Sequence, residues 1–166
     1  METILVSACL LGDKTRYDGK DNYNEKVEFL KEHFNIVPIC PEVMGGLSTP
    51  RYPSEIKNGS VIDKNGRDVT RYFEEGAKQV INIVKYLHIK KAVLVDGSPS
   101  CGINEIHNGN FNNVKIKGQG ITARELEKNG VMLFTIDNLD GIIDKTLKEI
   151  DAERQARFEE YLHKND

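Results

Sequence analysis

The sequence has few of the features by which metal sites and disulfide frameworks are usually recognised. Among its 166 residues are three cysteines, an odd number, and it contains no Cys-x-x-Cys pair. An odd count argues against a disulfide framework, which pairs its cysteines and occurs mostly in shorter secreted chains. Without a Cys-x-x-Cys pair, the chain lacks the usual signature of zinc ribbons and thioredoxin-like sites. A joint role for Cys9, Cys40 and Cys101 therefore requires the fold to bring them together.

The chain also lacks a long apolar run and an excess of basic residues. No stretch approaches the roughly 20 apolar residues of a membrane span, so we expect no membrane association. The N-terminus, METILVSACLLG, has no basic segment, and its apolar stretch is too short and broken for a secretory signal. We therefore expect a cytoplasmic protein. The formal charge of −3 argues against general nucleic-acid binding, which usually needs a basic surface.

What the sequence does contain is an alternation of short apolar runs with segments of helical period. Strands are predicted at residues 3–8, 36–39, 92–95 and 131–136. Helices are predicted at residues 24–34, 68–87, 122–129 and 139–162, the last heavily charged. This order predicts an α/β fold of Rossmann-like, three-layer type, with a mainly parallel sheet of about four to five strands and helices on both faces. We interpret residues 1–166 as a single domain with a charged C-terminal helix.

Turn and cap residues add local predictions. Pro38 places the second strand at an edge or at a strand end, because proline cannot donate to a neighbouring strand. Asn-Gly pairs flank residues 60–63 and predict a small hairpin. Asn24 is a plausible N-cap, and Thr122 begins a capping-box pattern, T-A-R-E. Residues 103–120 are expected to be irregular.

The cysteines stand at equivalent places in this pattern. Cys9 follows the first predicted strand, Cys40 follows the second, and Cys101 lies in the loop after the third. Carboxyl ends of parallel strands share one edge of a sheet, and open α/β sheets bind ligands there. Single buried cysteines often act only as small hydrophobic residues. Three of them at strand ends nevertheless favour convergence on one shared site.

Two kinds of metal site suit three converging thiolates. Zinc accepts three cysteines but usually takes a fourth ligand in structural sites, and His107 is the histidine placed to supply one. An iron–sulfur cluster of the cubane type normally uses four cysteines. With three, one iron keeps an open position, which is the mark of a catalytic metal site. The residues alone leave both alternatives open.

Three motifs in this order resemble a known family. They are SACLLG with Arg16-Tyr17-Asp18-Gly19, then CPEVMGGLSTPR, then DGSPSCG. Together they are similar to a bacterial family long catalogued as a domain of unknown function, whose characterised members are thiouracil desulfurases. The resemblance extends over about residues 4–137 and does not include the charged tail.

The resemblance implies a cofactor, a reaction and a set of residues. It implies a [4Fe-4S] cluster held by Cys9, Cys40 and Cys101. The implied reaction is a non-redox hydrolysis that converts a small thiolated pyrimidine such as 2-thiouracil to uracil and hydrogen sulfide. The family's acid–base residues match Glu42 and Ser98 here, with Ser100 as a further candidate.

Charged and aromatic residues of the motif loops suggest further roles. Arg16 and Arg51 are expected to brace the site by pairing with carboxylates, for which the candidates are Asp18, Glu42 and Asp96. Phe111, in the glycine-rich loop 108–120, is placed either to stack on a pyrimidine or to anchor that loop. Gly118-Gln119-Gly120, directly before a predicted helix, matches the pattern of an anion-binding turn.

Two rival hypotheses also fit these residues. One is a non-catalytic iron–sulfur or zinc module that binds or senses metal or sulfide without turnover. The other is a metal-free enzyme in which Cys9 or Cys101 is the nucleophile. The first predicts that well-loaded protein turns over no thiolated pyrimidine, whereas loss of activity in Glu42→Ala and Ser98→Ala with the cluster intact would indicate an enzyme. The second predicts that one cysteine is essential for activity and two are dispensable.

Overall fold

The fold is built around a parallel sheet whose strands are separated in sequence by helices and hairpins. The computed structural model describes residues 1–144 and 147–164. Over these residues the strands are β1 (Thr3–Ser7), β2 (Asn35–Ile39), β3 (Ser54–Lys57), β4 (Ser60–Asp63), β5 (Lys91–Val93), β6 (Glu105–His107), β7 (Lys115–Lys117) and β8 (Met132–Phe134). The helices are α1 (Val27–His33), α2 (Pro41–Met44), α3 (Thr70–Leu87), α4 (Ile121–Lys128) and α5 (Leu147–Lys164). β2, β1, β5 and β8 pair in that order, all in parallel.

Helices cover both faces of the sheet. The central strand β1 has apolar side chains on both faces, and each set must be buried. Leu5 packs in one cluster with residues of α3 and α4, whereas Ile4 and Val6 pack in another with residues of α1. Side chains of successive strand residues point to opposite faces, so a fully buried strand such as β1 needs a helical layer on each side. The predicted three-layer α/β architecture with a mainly parallel sheet is confirmed.

Pro38 stands on an edge strand, as predicted. It lies in register with Val6 of β1, and β2 has no further partner on its other side within the described residues. Pro38 is exposed. An edge strand is where a sheet tolerates proline, because one side of the strand needs no ladder donors.

Two antiparallel hairpins leave the main sheet, and only the first was predicted. Asn58 and Gly59 join β3 to β4 with φ angles of 51° and 79°, the left-handed pair that a tight hairpin turn requires. The second hairpin, β6 and β7, lies in residues 103–120, so the prediction of irregular structure there was wrong. Its strands have three residues each and are mostly polar, which gives no clear strand periodicity to detect.

The predicted start of the helix at residue 24 was also wrong. α1 begins at Val27. The Asn24 side chain accepts the N–H of Lys26, two residues later, in an Asx turn that precedes the helix.

The capping box at Thr122 is not formed. Thr122 is fully buried, and its hydroxyl has no hydrogen-bond partner within the described residues. The backbone N–H groups of Thr122 and Ala123 donate instead to the carbonyl oxygen of Ser100. The loop that contains Ser100 therefore supplies the hydrogen-bond acceptor for the first N–H groups of α4. A local capping pattern cannot predict such a long-range contact.

The C-terminal helix begins later than residue 139. Residues 139–144 are irregular because Gly141 adopts a positive φ of 79° and Ile142 turns back into the core. The buried ammonium group of Lys91 donates to the Ile142 carbonyl at 2.7 Å and pairs with Glu2 and Asp144. Residues 145–146 of the predicted helix lie outside the described residues.

α5 agrees with the predicted charged, solvated tail. Its side chains are exposed wherever the structure describes them. Within the described part of the chain, no helix combines the length and apolar character required to cross a membrane.

Two glycines let α2 lie directly against α3. A side chain on Gly76 of α3 would overlap the carbonyl oxygen of Pro41, and one on Gly45, next to α2, would overlap the carbonyl oxygen of Tyr72. Both obstacles are backbone atoms, which cannot turn aside as a flexible side chain can. This close crossing fixes the segment that directly follows Cys40.

We expect Gly76→Ala to lower the free energy of unfolding by about 1–3 kcal/mol, the usual cost of overpacking. The direction of this change in stability is informative, because alanine in an unobstructed helix interior stabilises by about 1 kcal/mol relative to glycine. Lys78→Ala, on the exposed side of the same helix, is the control and should change little. Urea unfolding measures both variants, and a Gly76→Ala protein as stable as the wild type would contradict the close crossing.

Candidate active site

A cavity of about 520 Å³ lies at the carboxyl edge of the sheet. It is lined by all the predicted cluster ligands and acid–base residues, together with two arginines, a histidine and a phenylalanine of the motif loops: Cys9, Cys40, Cys101, Glu42, Ser98, Ser100, Arg16, Arg51, His107 and Phe111. The predicted convergence of the three cysteines is therefore observed.

Each cysteine is held by a different local structure. Cys9 lies in a single 3₁₀ turn after β1, which ends at Gly12 with a φ of 100°. Cys40 directly precedes α2, whose first residue is proline, and Cys101 lies in the loop after β5. All three thiols are free; Cys9 and Cys101 are buried and Cys40 is half-buried. Because β1 pairs with both β2 and β5, the three adjacent strands deliver one thiol each to the cavity.

Burial makes two of these thiols poor nucleophiles on their own. It raises the pKa of Cys101 to about 12 and also raises the pKa of Cys9, where the Asn22 amide acts in the opposite direction. A thiol with a raised pKa carries little thiolate near neutral pH, and structural buried cysteines are usually inert. This environment disfavours a metal-free nucleophile, whereas a bound metal deprotonates its thiol ligands directly.

The geometry also bears on the zinc alternative. Within residues 1–144 and 147–164, no group of three or more His, Cys, Asp or Glu side chains is arranged so that it could hold a metal ion. His107 lines the cavity, but its buried Nδ1 has no hydrogen-bond partner among the described residues. A structural zinc ion needs a compact tetrahedral set of ligands. An iron–sulfur cluster takes its cysteines on separate iron atoms and so spans a wider set of thiols.

Glu42, Ser100 and Ser98 form a directed chain of hydrogen bonds beside the thiols. Ser98 Oγ accepts the N–H groups of Ser100 and Cys101, both at 3.1 Å, and lies 3.0 Å from Ser100 Oγ. Ser100 Oγ in turn donates to Glu42 Oε2 at 3.1 Å. A serine hydroxyl has one proton and two lone pairs, so the proton of Ser98 must point to Ser100. The chain therefore runs from Ser98 through Ser100 to the carboxylate.

The environment of Glu42 suits a group that exchanges protons. Burial raises the pKa of Glu42, although the charge of Arg51 and the hydroxyl of Ser100 act in the opposite direction. Arg51 Nε lies 3.6 Å from Glu42 Oε1, and within the described residues this buried nitrogen has no hydrogen-bond partner. The Arg51 guanidinium is anchored elsewhere, by the carbonyl oxygens of Thr15 and Ser48. The predicted pairing of Arg51 with Glu42 is observed as this charge contact.

Comparison with known proteins places this geometry in a family. The chain matches the family described as 2-thiouracil desulfurase over residues 4–138. It belongs to the 2-thiouracil desulfurase family. A solved structure named [4Fe-4S]-dependent thiouracil desulfidase TudS superposes with a TM-score of 0.79 and 40% identity, over 84% of this chain and 93% of that one. The uncharacterised protein YbbK of Bacillus subtilis (strain 168) is 37% identical, over 84% of this chain and 99% of its own.

In this member of the 2-thiouracil desulfurase family, Asp96 shapes the loop that carries Ser98 and Cys101. Asp96 Oδ1 accepts four backbone N–H groups, from Gly97, Ile103, Asn104 and Glu105, at 2.8–3.2 Å. Burial alone would raise the pKa of Asp96, but these donors outweigh it and lower the pKa below its usual value. Of the three candidate carboxylates for the two arginines, Asp18 pairs with Arg16 and Glu42 with Arg51, whereas Asp96 binds backbone N–H groups instead.

The glycine-rich loop forms part of the cavity rim. Glu55 of β3 is buried, and its Oε1 accepts the N–H groups of Gly109 and Phe111. This carboxylate ties the loop to the first hairpin and leaves Phe111 among the cavity-lining residues. The stacking role of Phe111 stays a prediction. Nothing in the sequence singled out Glu55, because its two partners lie more than 50 positions away along the chain.

The pattern Gly118-Gln119-Gly120 serves packing rather than anion binding. Gly120 N–H donates to the Gly102 carbonyl, and the first N–H groups of α4 donate to the carbonyls of Pro99 and Ser100. These donors are therefore already paired with the loop that carries Cys101. A side chain on Gly120 would come within 2.5 Å of the Ser100 carbonyl carbon and 2.9 Å of the Cys101 nitrogen. The anion-binding prediction was wrong, since the same donors hold the cysteine loop.

We expect Gly120→Ala to displace the backbone at Ser100 and Cys101 and so to expose the Cys101 thiol. Gly118→Ala is the matched control, because its added methyl group meets only side-chain atoms, Cδ1 and Cγ1 of Ile106 at 3.0 Å, and no backbone atom. Native-state labelling with a thiol reagent, located by mass spectrometry, should show Cys101 reacting at least several-fold faster in Gly120→Ala than in Gly118→Ala. Equal labelling rates would show that the α4 terminus does not hold this loop.

Proposed function

We propose that this protein is a desulfurase that converts a small thiolated pyrimidine, such as 2-thiouracil, to uracil and hydrogen sulfide. The reaction would use a [4Fe-4S] cluster held by Cys9, Cys40 and Cys101. One observation carries the proposal: three free thiols share a cavity with the hydrogen-bonded chain that ends at Glu42. Membership of the 2-thiouracil desulfurase family supports the same reaction.

The donor set fits such a cluster. Thiolates are the ligands that iron–sulfur clusters use, and three of them leave one iron without a protein ligand. When bound, the cluster supplies a Lewis-acidic iron that attracts sulfur and polarises a carbon–sulfur double bond. The free thiols of all three cysteines are also consistent with a reducing cytoplasm, the compartment that we propose for the protein.

The protein's own contribution is the control of protons. In the net reaction, the oxygen of water forms a bond to carbon, the carbon–sulfur bond breaks, and sulfur leaves as hydrosulfide without any change of oxidation state. The attacking water gives up two protons, of which one passes to the leaving sulfur to form hydrosulfide and the other is released to solvent. Glu42 is placed to accept and return a proton, because its carboxylate ends the chain from Ser98 and its pKa is raised by burial.

Ser98 and Ser100 set the direction of that transfer. The Ser98 Oγ atom is held by two backbone N–H groups, so its position in the cavity is fixed before substrate enters. Its proton points toward Ser100, whose own proton points toward Glu42. Movement of a proton from Ser98 would therefore be relayed to the Glu42 carboxylate by the two hydroxyls.

The cavity suits a small aromatic substrate. Its volume of about 520 Å³ lies in the range of small-molecule sites. Phe111 on the rim can stack on a planar ring. The polar side chains that line the cavity after the strands can orient that ring. The formal charge of −3 gives no broad basic surface, so we propose a small molecule rather than nucleic acid as the partner.

We expect anaerobic reconstitution to load about four irons per chain, the content of a cubane cluster. Cys9→Ser, Cys40→Ser and Cys101→Ser should each lose both the cluster absorption and turnover of 2-thiouracil, because each removes one of the three ligands. Iron and sulfide assays with a visible spectrum measure loading, and release of uracil measures turnover. A protein that stays colourless while its thiols are reduced would contradict the cluster. Activity that survives two of the three substitutions would indicate a metal-free cysteine enzyme.

We expect Glu42→Gln to lower turnover by about 10²–10⁴-fold, the usual contribution of a positioned acid–base group, without loss of iron. The matched control is Glu105→Gln, whose carboxylate pairs with Lys115 outside the Ser98–Ser100–Glu42 chain. Initial rates with 2-thiouracil, normalised to iron content, make the comparison. A fully loaded wild type without turnover on any thiolated pyrimidine would favour a binding or sensing module.

A further inference from the structure

Asn22 directs an N–H group at the sulfur of Cys9. Its Nδ2 lies 3.5 Å from Cys9 Sγ, within hydrogen-bond distance for a sulfur acceptor. The backbone of Asn22 is held in the same place, because its N–H donates to the Cys9 carbonyl at 2.9 Å. Asn22 therefore contacts the cysteine through both its main chain and its side chain.

Arg16 determines which end of the Asn22 amide faces the sulfur. Arg16 Nη1 donates to Asn22 Oδ1 at 2.8 Å, and Arg16 Nη2 pairs with Asp18 at 3.0 Å. A guanidinium group has only donors, so the amide oxygen must face Arg16. The NH₂ group is then left to face Cys9. The N–H···S contact is thus fixed by a charged partner that is itself held in place.

The other two sulfurs have different surroundings. Cys40 Sγ lies 3.9 Å from the carbonyl oxygen of Thr15, which is an acceptor and offers no proton to a thiolate. Cys101 lies near the neutral hydroxyls of Ser7 and Ser100, and the Ser100 proton is engaged by Glu42. Cys9 is the sulfur whose donor is supported by a positive charge.

We propose that Asn22 is a positioning residue that stabilises the Cys9 thiolate through this hydrogen bond and so raises the reduction potential of the bound cluster. The inference rests on the proposed function, since it requires a cluster on Cys9. Hydrogen bonds to cluster sulfurs withdraw electron density, which favours the more negatively charged, reduced state. In a non-redox reaction the same withdrawal leaves the iron a stronger Lewis acid toward substrate sulfur.

The test compares midpoint potentials of reconstituted, full-length proteins in an anaerobic redox titration followed by visible and electron paramagnetic resonance spectra. Asn22→Leu removes the donor at similar volume. Asn22→Asp keeps the shape and the Arg16 contact but presents an oxygen without a proton to the sulfur. Asn24→Leu and Asn24→Asp are matched controls in the same loop, because the Asn24 side chain contacts the Lys26 backbone.

We expect the potential to become more negative in the order wild type, Asn22→Leu, Asn22→Asp, with both Asn24 variants close to the wild type. An Asn22→Asp protein that folds by circular dichroism but retains less iron than Asn24→Asp would also support the role. Loaded Asn22 variants with the wild-type potential would overturn this inference alone. A wild-type protein that binds no cluster would overturn the proposed function and the inference together.

Discussion

The parallel pairing of β1 with β2 on one side and β5 on the other is the constraint on which the site depends. Parallel strands end at one edge, and each of these three is followed at once by a segment that carries a cysteine. Antiparallel pairing of any one of them would place its cysteine at the opposite edge. β1 carries apolar side chains on both of its faces, and these bury it between two helical layers. The central place of β1 in the sheet therefore also sets the arrangement of the thiols.

Backbone hydrogen bonds and close helix packing then fix the positions of the loops that follow these strands. Asp96 gathers four N–H groups around one oxygen, and the start of α4 donates to the carbonyls of Pro99 and Ser100. On the other side of the cavity, the crossing of α2 and α3 at Gly76 positions the segment after Cys40. The reacting groups are thus held by rigid elements, as precise positioning of a site requires.

The alternation of strands and helices and the cysteine convergence could be predicted because each depends on a local, repeated signal. Apolar runs, intervening helical periods and a thiol after each of the first three predicted strands are all visible along the chain. The prediction failed where a distant partner determined the structure. Thr122 does not cap α4 because Ser100 satisfies its first turn, and Glu55 holds a loop far along the chain. The second hairpin could not be predicted because its strands are short and mostly polar.

The same limit applies within the site. The cysteines, Glu42 and the serines lie in compact motifs, whereas Asn22 has no motif spacing that links it to Cys9. Its contact arises only when the loop after Gly12 folds back, so that backbone groups of Asn22 and Asn24 donate to the carbonyls of Cys9 and Leu10. Local patterns reveal residues that share a segment, but residues that support a ligand from a neighbouring loop become visible only in three dimensions.

The position of one thiol directly beyond each of three strands has a consequence for the stability of the protein in the cell. A ligand bound to all three would join strands that are separated along the chain by whole helices, and so act as a cross-link that restricts the unfolded ensemble. Chains that have lost the ligand would then open more readily at this edge. Resistance to proteolysis would report cofactor content, and degradation would remove the empty chains preferentially.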